Sequence, residues 1–160
     1  TPFQWFGQVP IEEFERRQQL LKEHITDRAI QFNYHDARVS VLEGAIARGD
    51  RRLSKVIYEA WKNGAKFDGW SDHFKNEIWL RAFETCGIDI REYNERTRSV
   101  TEPLPWEHTS PGVNKEFLLR EYHHAQREEL TEDCRHGKCS ACGICPNLGV
   151  KVVDWGKKDV

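Results

Sequence analysis

The stretch from Cys134 to Pro146, CRHGKCSACGICP, constrains this chain more than any other. It holds four of the five cysteines, Cys134, Cys139, Cys142 and Cys145, at the spacing C-x4-C-x2-C-x2-C. A lone cysteine usually behaves as a small buried hydrophobe, and Cys86, on a predicted helix face, reads that way. Four thiols in so short a window do not read as core filling. They can converge on one centre only if the backbone turns tightly between them. Gly137 and Gly143 permit such turns, because glycine tolerates positive φ. The options are zinc, an iron–sulfur cluster, or disulfides. Structural zinc usually takes two C-x2-C knuckles separated by a longer hairpin, and no such gap exists here. Disulfides across x2 spacings are short, and they rank last.

The run C-x2-C-x2-C ending in Cys-Pro resembles a bacterial ferredoxin loop, in which three successive cysteines hold three corners of a [4Fe–4S] cube. The fourth ligand is remote in those proteins; here Cys134, five residues upstream of Cys139, stands where it could serve. A [4Fe–4S] cluster is the first reading and zinc the second. Non-ligating cysteines come third. His136 lies inside the window, but four thiolates already suffice. With all four ligating, no metal position stays open. A closed centre transfers electrons or holds a fold; it does not bind substrate directly.

Composition narrows the setting. The 160 residues suffice for one domain with a real core. At 31% charged and 38% hydrophobic residues the chain is polar but globular. Its formal net charge of −2, with both signs interspersed, creates no global pull toward nucleic acid or membrane. No apolar run is long enough for a membrane span, and no export signal opens the chain. The expected compartment is therefore the reducing cytoplasm, where clustered cysteines bind metal more often than they pair. The chain opens without Met on TPFQWFGQVP, and so aromatic a start reads as a piece cut from a longer protein.

The expected fold is mainly α with one short strand: a small helical domain followed by a Cys-rich metal-binding segment. Residues 1–98 form the helical domain, 99–113 a Pro-rich ordered loop, and 114–160 a helix with the Cys-rich segment. Residues 1–9 read as extended. Pro10, Glu12 and Glu13 suit the start of a helix whose apolar stripe is Ile11, Phe14, Leu21 and Ile25. The alternation Ile30, Phe32, Tyr34 predicts the strand, over 29–36. Ser40 and Glu43 form a capping-box pattern for a second helix that Gly49 ends. The next helix carries Leu53, Val56, Ile57, Ala60 and Trp61 at helical spacing and stops at Gly64. A further helix follows over 72–87 with Phe74, Ile78, Ala82 and Phe83 inward, then a short one near 89–97. Leu104 and Trp106 anchor the Pro-rich loop. The helix over 114–130 turns Phe117, Leu118, Tyr122 and Ala125 to one face.

Outside the cysteine window the candidates are fewer. His35 and Asp36 end the predicted strand and form a candidate substrate-binding pair, against a plain turn in which Asp36 bonds the backbone. FDGWSDHF presents Asp68, Trp70, Asp72 and His73 in a turn; Trp70 and His73 are the substrate-binding candidates, against an anchoring role for Trp70. Arg48, Arg51 and Arg52 suggest a phosphate or RNA contact, or a solvated helix–helix corner. His123 and His124 are neighbours on a helix and cannot point at one metal. No Ser-His-Asp set, P-loop or dinucleotide fingerprint occurs.

Several blocks together resemble one family. TPFQWFGQ, the long block from FNYHDARVS to GWSDHF, EPLPWEHTSPGVNKEFLLREY and TEDCRHGKCSACGIC resemble the C-terminal region of bacterial radical SAM proteins of the cobalamin-binding-domain type. The resemblance spans essentially the whole chain, and in that family TPFQW closes the catalytic core. It implies an accessory module beside the radical SAM core of the same protein, with an auxiliary [4Fe–4S] cluster on Cys134, Cys139, Cys142 and Cys145. Electron transfer, substrate anchoring or barrel closure would be its role. S-adenosylmethionine and a second cluster would belong to the parent protein only, because radical SAM catalysis needs a C-x3-C-x2-C triad and this chain has no C-x3-C. The cobalamin-binding-like domain is likewise not in this sequence. The alternative is a zinc-stabilised interaction module whose partner is RNA, a ribosomal component or a protein. Neither reading calls for a membrane.

Overall fold

A computed structural model of the chain describes residues 1–153. The charged part of the tail expected in the last segment, 154–160, lies outside the described residues. Those described form seven α-helices and one short 3-10 helix, so the chain is mainly helical as expected. They separate into two compact units, Phe6–Arg98 and Thr1–Trp5 with the chain from Ser99 onward. Thr1–Trp5 thus groups with the second part of the chain, whereas the sequence reading placed it with the first.

In the unit Phe6–Arg98, α1 (Ile11–His24) begins where Pro10 fixes the entry and Glu12 and Glu13 meet the positive helix end. Glu13 accepts from both Arg16 and Arg17 at 2.6 Å, and these guanidinium groups pull its carboxyl down to about 2. Then α2 (Ala37–Arg48) starts four residues earlier than expected. Its cap is Asp36, whose carboxylate accepts the Arg38 N–H at 2.8 Å, and Ser40 sits inside the first turn. A carboxylate at the Ncap satisfies an otherwise free amide at once, which removes the need for the Ser40–Glu43 box.

The strand expected over 29–36 is absent among the described residues. Its alternation is real, since Phe32 and Tyr34 stack at 5.3 Å on one side. A strand, however, needs a second strand to take its amides and carbonyls, and the described chain offers none. The segment instead lies along α1: Gln18 donates to the His35 carbonyl at 2.9 Å, and the Lys22 ammonium sits 4.2 Å from the Tyr34 ring centre.

The core of this unit joins α2, α3 (Leu53–Lys62), α4 (Asn76–Thr85) and α5 (Arg91–Asn94) through Leu42, Ala45, Val56, Ala60, Phe83 and Tyr93. Each large apolar side chain buried this way contributes about 1.5–3 kcal/mol. Cys86 packs half-buried against that core, as a small hydrophobe should. On α3 the inward positions are 53, 56 and 60. Ile57 and Trp61, expected among them, are 44% and 56% exposed, so the inward stripe is narrower than the apolar pattern. α3 and α4 end alike. Gly64 (φ 98°) donates to the Trp61 carbonyl while Ala65 donates to Ala60; Gly87 (φ 65°) and Ile88 repeat the pattern on Glu84 and Phe83. This left-handed closure satisfies the last free carbonyls of each helix.

In the other unit, Pro2–Trp5 forms a 3-10 helix where extended chain was expected, and its fully buried Trp5 packs edge-on against Tyr122 of α6 (Lys115–Gln126), ring centres 5.4 Å apart. Leu104 completes this small core, with Trp106, Leu118 and Leu119 at its edge. Trp106 also donates to the Gln4 side chain at 2.8 Å, so both predicted loop anchors are engaged. The cysteine window ends in a helix that its spacing did not reveal, α7 (Ile144–Leu148), between left-handed Gly143 and Gly149.

Candidate functional site

The cysteine window is built from two short turns and α7, and α6 holds it in place. Asp133 starts the first turn: its carboxylate accepts the Arg135 N–H at 2.9 Å and its carbonyl accepts from His136 and Gly137. The Arg135 guanidinium on the same carboxylate holds its pKa at about 2. This turn presents Cys134 to solvent. The second turn lies between Cys139 and Cys142. Ala141 takes φ 53°, a conformation that costs a non-glycine residue energy. Its amide points at the Cys139 sulfur, 3.4 Å away. A second left-handed residue, Gly143 at φ 93°, then turns the chain into α7 with Cys145 in its first turn.

The anchorage comes from residues that carry no local signal in the sequence. The Asn114 N–H donates to the Cys142 carbonyl at 2.9 Å, and Arg120 donates to the Ser140 carbonyl. Asn147 of α7 donates to the Gly112 carbonyl at 2.8 Å and to the Asn114 side chain at 3.0 Å. PGVN read only as a loop running into a helix. Its role needs residues 33 and 35 positions apart in sequence, which no local pattern reports.

All four window cysteines are free thiols; Cys134 and Cys139 are exposed, Cys142 and Cys145 half-buried. No group of three or more His, Cys, Asp or Glu among the described residues is gathered to hold a metal ion. Thiolates are donors for a soft metal or cluster, but the four are not converged in this arrangement. His136 lies in the exposed first turn.

The other candidates fall into place singly. Asp36 is the α2 cap and pairs with Arg38, whose guanidinium holds the carboxyl below its usual range. It performs the turn role weighed for it. His35 lines a groove of about 410 Å3 with Phe14, Leu21 and Phe32. Trp70 and His73 lie in the α3–α4 connection beside Phe67, whose ring centre is 5.9 and 6.0 Å from theirs. Arg48 turns inward: it donates to the carbonyls of Tyr93 and Arg96, and burial lowers its pKa. Arg52 pairs with Asp50. Two of the three clustered arginines are thus spent on the helix corner. His123 is exposed, and His124 faces Glu121 and Glu129.

No protein-family model, curated protein or solved structure matches the chain. Among the described residues no helix is long and apolar enough to cross a membrane.

Proposed function

We propose that this chain is the accessory C-terminal region of a radical SAM enzyme, in which Cys134, Cys139, Cys142 and Cys145 ligate an auxiliary [4Fe–4S] cluster. The observation that carries the reading is the loop itself: four free thiols, a left-handed backbone at Ala141 and Gly143, and an amide directed at the Cys139 sulfur. Amides aimed at sulfur are one means by which proteins tune iron–sulfur centres. The family resemblance adds the radical SAM context. Because the thiols are not gathered, ligation would draw the two turns together, with the free energy of binding doing the folding. When bound, the cluster would supply one-electron chemistry or hold the fold. The residues of the chain would supply four thiolates, the anchoring bonds from Asn114 and Arg120, and no open position for substrate. S-adenosylmethionine chemistry would remain with the parent's core.

The test is purification without oxygen, a visible spectrum, and assay of iron, sulfide and zinc. The expected result is about four irons per chain with broad absorbance near ~400 nm. About one zinc in a colourless protein would overturn the cluster and leave the zinc-stabilised interaction module, for which RNA or protein partners would then be sought. Neither metal would remove the metal centre altogether.

A further inference from the structure

The outer face of α3 carries more than the fold of its own unit requires. Leu53, Val56 and Ala60 take the inward side of the helix, which turns Lys55, Tyr58 and Lys62 together toward solvent. Tyr58 is 61% exposed and Trp61, one turn on, 56%. Their ring centres lie 5.7 Å apart. Trp61 and Phe67 both line the open hollow beside the helix, and the Phe67 ring centre is 5.9 Å from that of Trp70. Two exposed ring pairs, Tyr58–Trp61 and Phe67–Trp70, therefore border one hollow. Single exposed apolar side chains are ordinary, whereas a contiguous set marks an interaction site. Phe67 is 66% exposed and keeps that position at φ 61°, where a bulky residue is rarely found. Strained backbone that holds a ring out in solvent points to a use for the ring outside the core.

Charge selects the partner. Residues 51–67 hold five Lys or Arg against a single Glu. Arg52 is paired with Asp50, and Lys62 stands 3.9 Å from Glu59. Arg51, Lys55 and Lys66 are exposed and make no ion pair among the described residues. Rings alone would suit an apolar partner. Rings interleaved with unpaired cations suit a polymer that alternates flat faces with anions. We propose that this face binds single-stranded nucleic acid, with bases stacked on Tyr58, Trp61 and Phe67 and phosphates met by Arg51, Lys55 and Lys66. Asp68 and Asp72 flank Trp70 in the sequence, which leaves the phosphates to the α3 side of the hollow. Neither a ring face nor an ammonium group reads the sugar, so RNA and DNA strands bind alike. A duplex keeps its base faces stacked on one another and offers only its charge. This inference concerns a different unit from the cysteine loop and stands whether or not that loop holds a cluster.

The full 160-residue chain is titrated into fluorescently labelled oligouridylate and oligothymidylate, each about 12 nucleotides long, and binding is read by anisotropy. A DNA duplex of the same length and polyglutamate serve as controls. Both single strands are expected to bind saturably, and both controls about tenfold more weakly or less. Tyr58→Ala and Trp61→Ala, at exposed positions outside the core, should each weaken strand binding about tenfold through lost stacking. Lys55→Gln and Lys66→Gln should each lower the slope of log affinity against log salt by about 0.7. Polyglutamate that binds as tightly as the strands would make this a surface for an acidic polypeptide, and a duplex that does so would reduce it to charge alone. Either result overturns the proposal. It fails equally if neither strand binds at about 0.1 mM chain, or if Tyr58→Ala and Trp61→Ala bind as tightly as the unaltered chain.

Discussion

Gly7 sits where no side chain fits. A Cβ built there would lie 1.8 Å from the Glu95 carbonyl oxygen, and the neighbouring Gln8 N–H donates to the Asn94 carbonyl at 2.6 Å. The obstacle is backbone, which cannot swing aside as a side chain can. Gly7→Ala should therefore cost at least about 2 kcal/mol, the upper part of the usual range for overpacking, as read by chemical denaturation. Gly143 is constrained differently. Its φ of 93° disfavours any side chain, and a Cβ would lie 2.5 Å from the Asn114 side chain that helps anchor the cysteine loop. The sequence named Gly143 as a turn; it could not name Gly7, because the obstructing carbonyl lies almost ninety residues away.

At the scale of one element, α2 shows how a cap overrides a pattern. Asp36 holds the first turn with its carboxylate, and Asp36→Ala should destabilise the unit by about 1 kcal/mol. The sign of the pH dependence follows from the pairing. The Arg38 guanidinium and the α2 amides depress the folded pKa below the ordinary 3.8. The contribution is thus fully present above pH ~4 and fades as the pH falls through the folded pKa. Denaturation midpoints measured between pH 6 and pH 2 (limits set by the carboxylate range) should show the difference between Asp36→Ala and the unaltered chain shrinking toward acid. A constant difference would mean that the cap acts through shape rather than charge. The helix over 53–62 was legible from Leu53, Val56 and Ala60 and from Gly64 as its stop. The false strand at 29–36 arose because alternation reports side-chain direction alone and says nothing of whether another strand is there to pair with.

Across the whole chain, the two compact units respond to different parts of the sequence. Cys142→Ser should abolish metal binding and loosen the region after residue 130. The helices α2 to α4, whose core contains none of the window cysteines, should keep their protection. Hydrogen exchange with and without a chelator is the measurement. Uniform loss of protection would show instead that the loop supports both units, and full metal content in the variant would remove Cys142 from the ligand set. By itself the sequence determined the helical character, the helix stops at glycine, the anchoring role of Leu104 and Trp106, and the concentration of thiols in one loop. These depend on residue type and short-range spacing. Only the tertiary structure decided that Asn114, Arg120 and Asn147 hold that loop, and that Trp5 packs against Tyr122. It alone set Gly7 against the Glu95 carbonyl. Each of these joins groups far apart along the chain, and only packing brings such groups together.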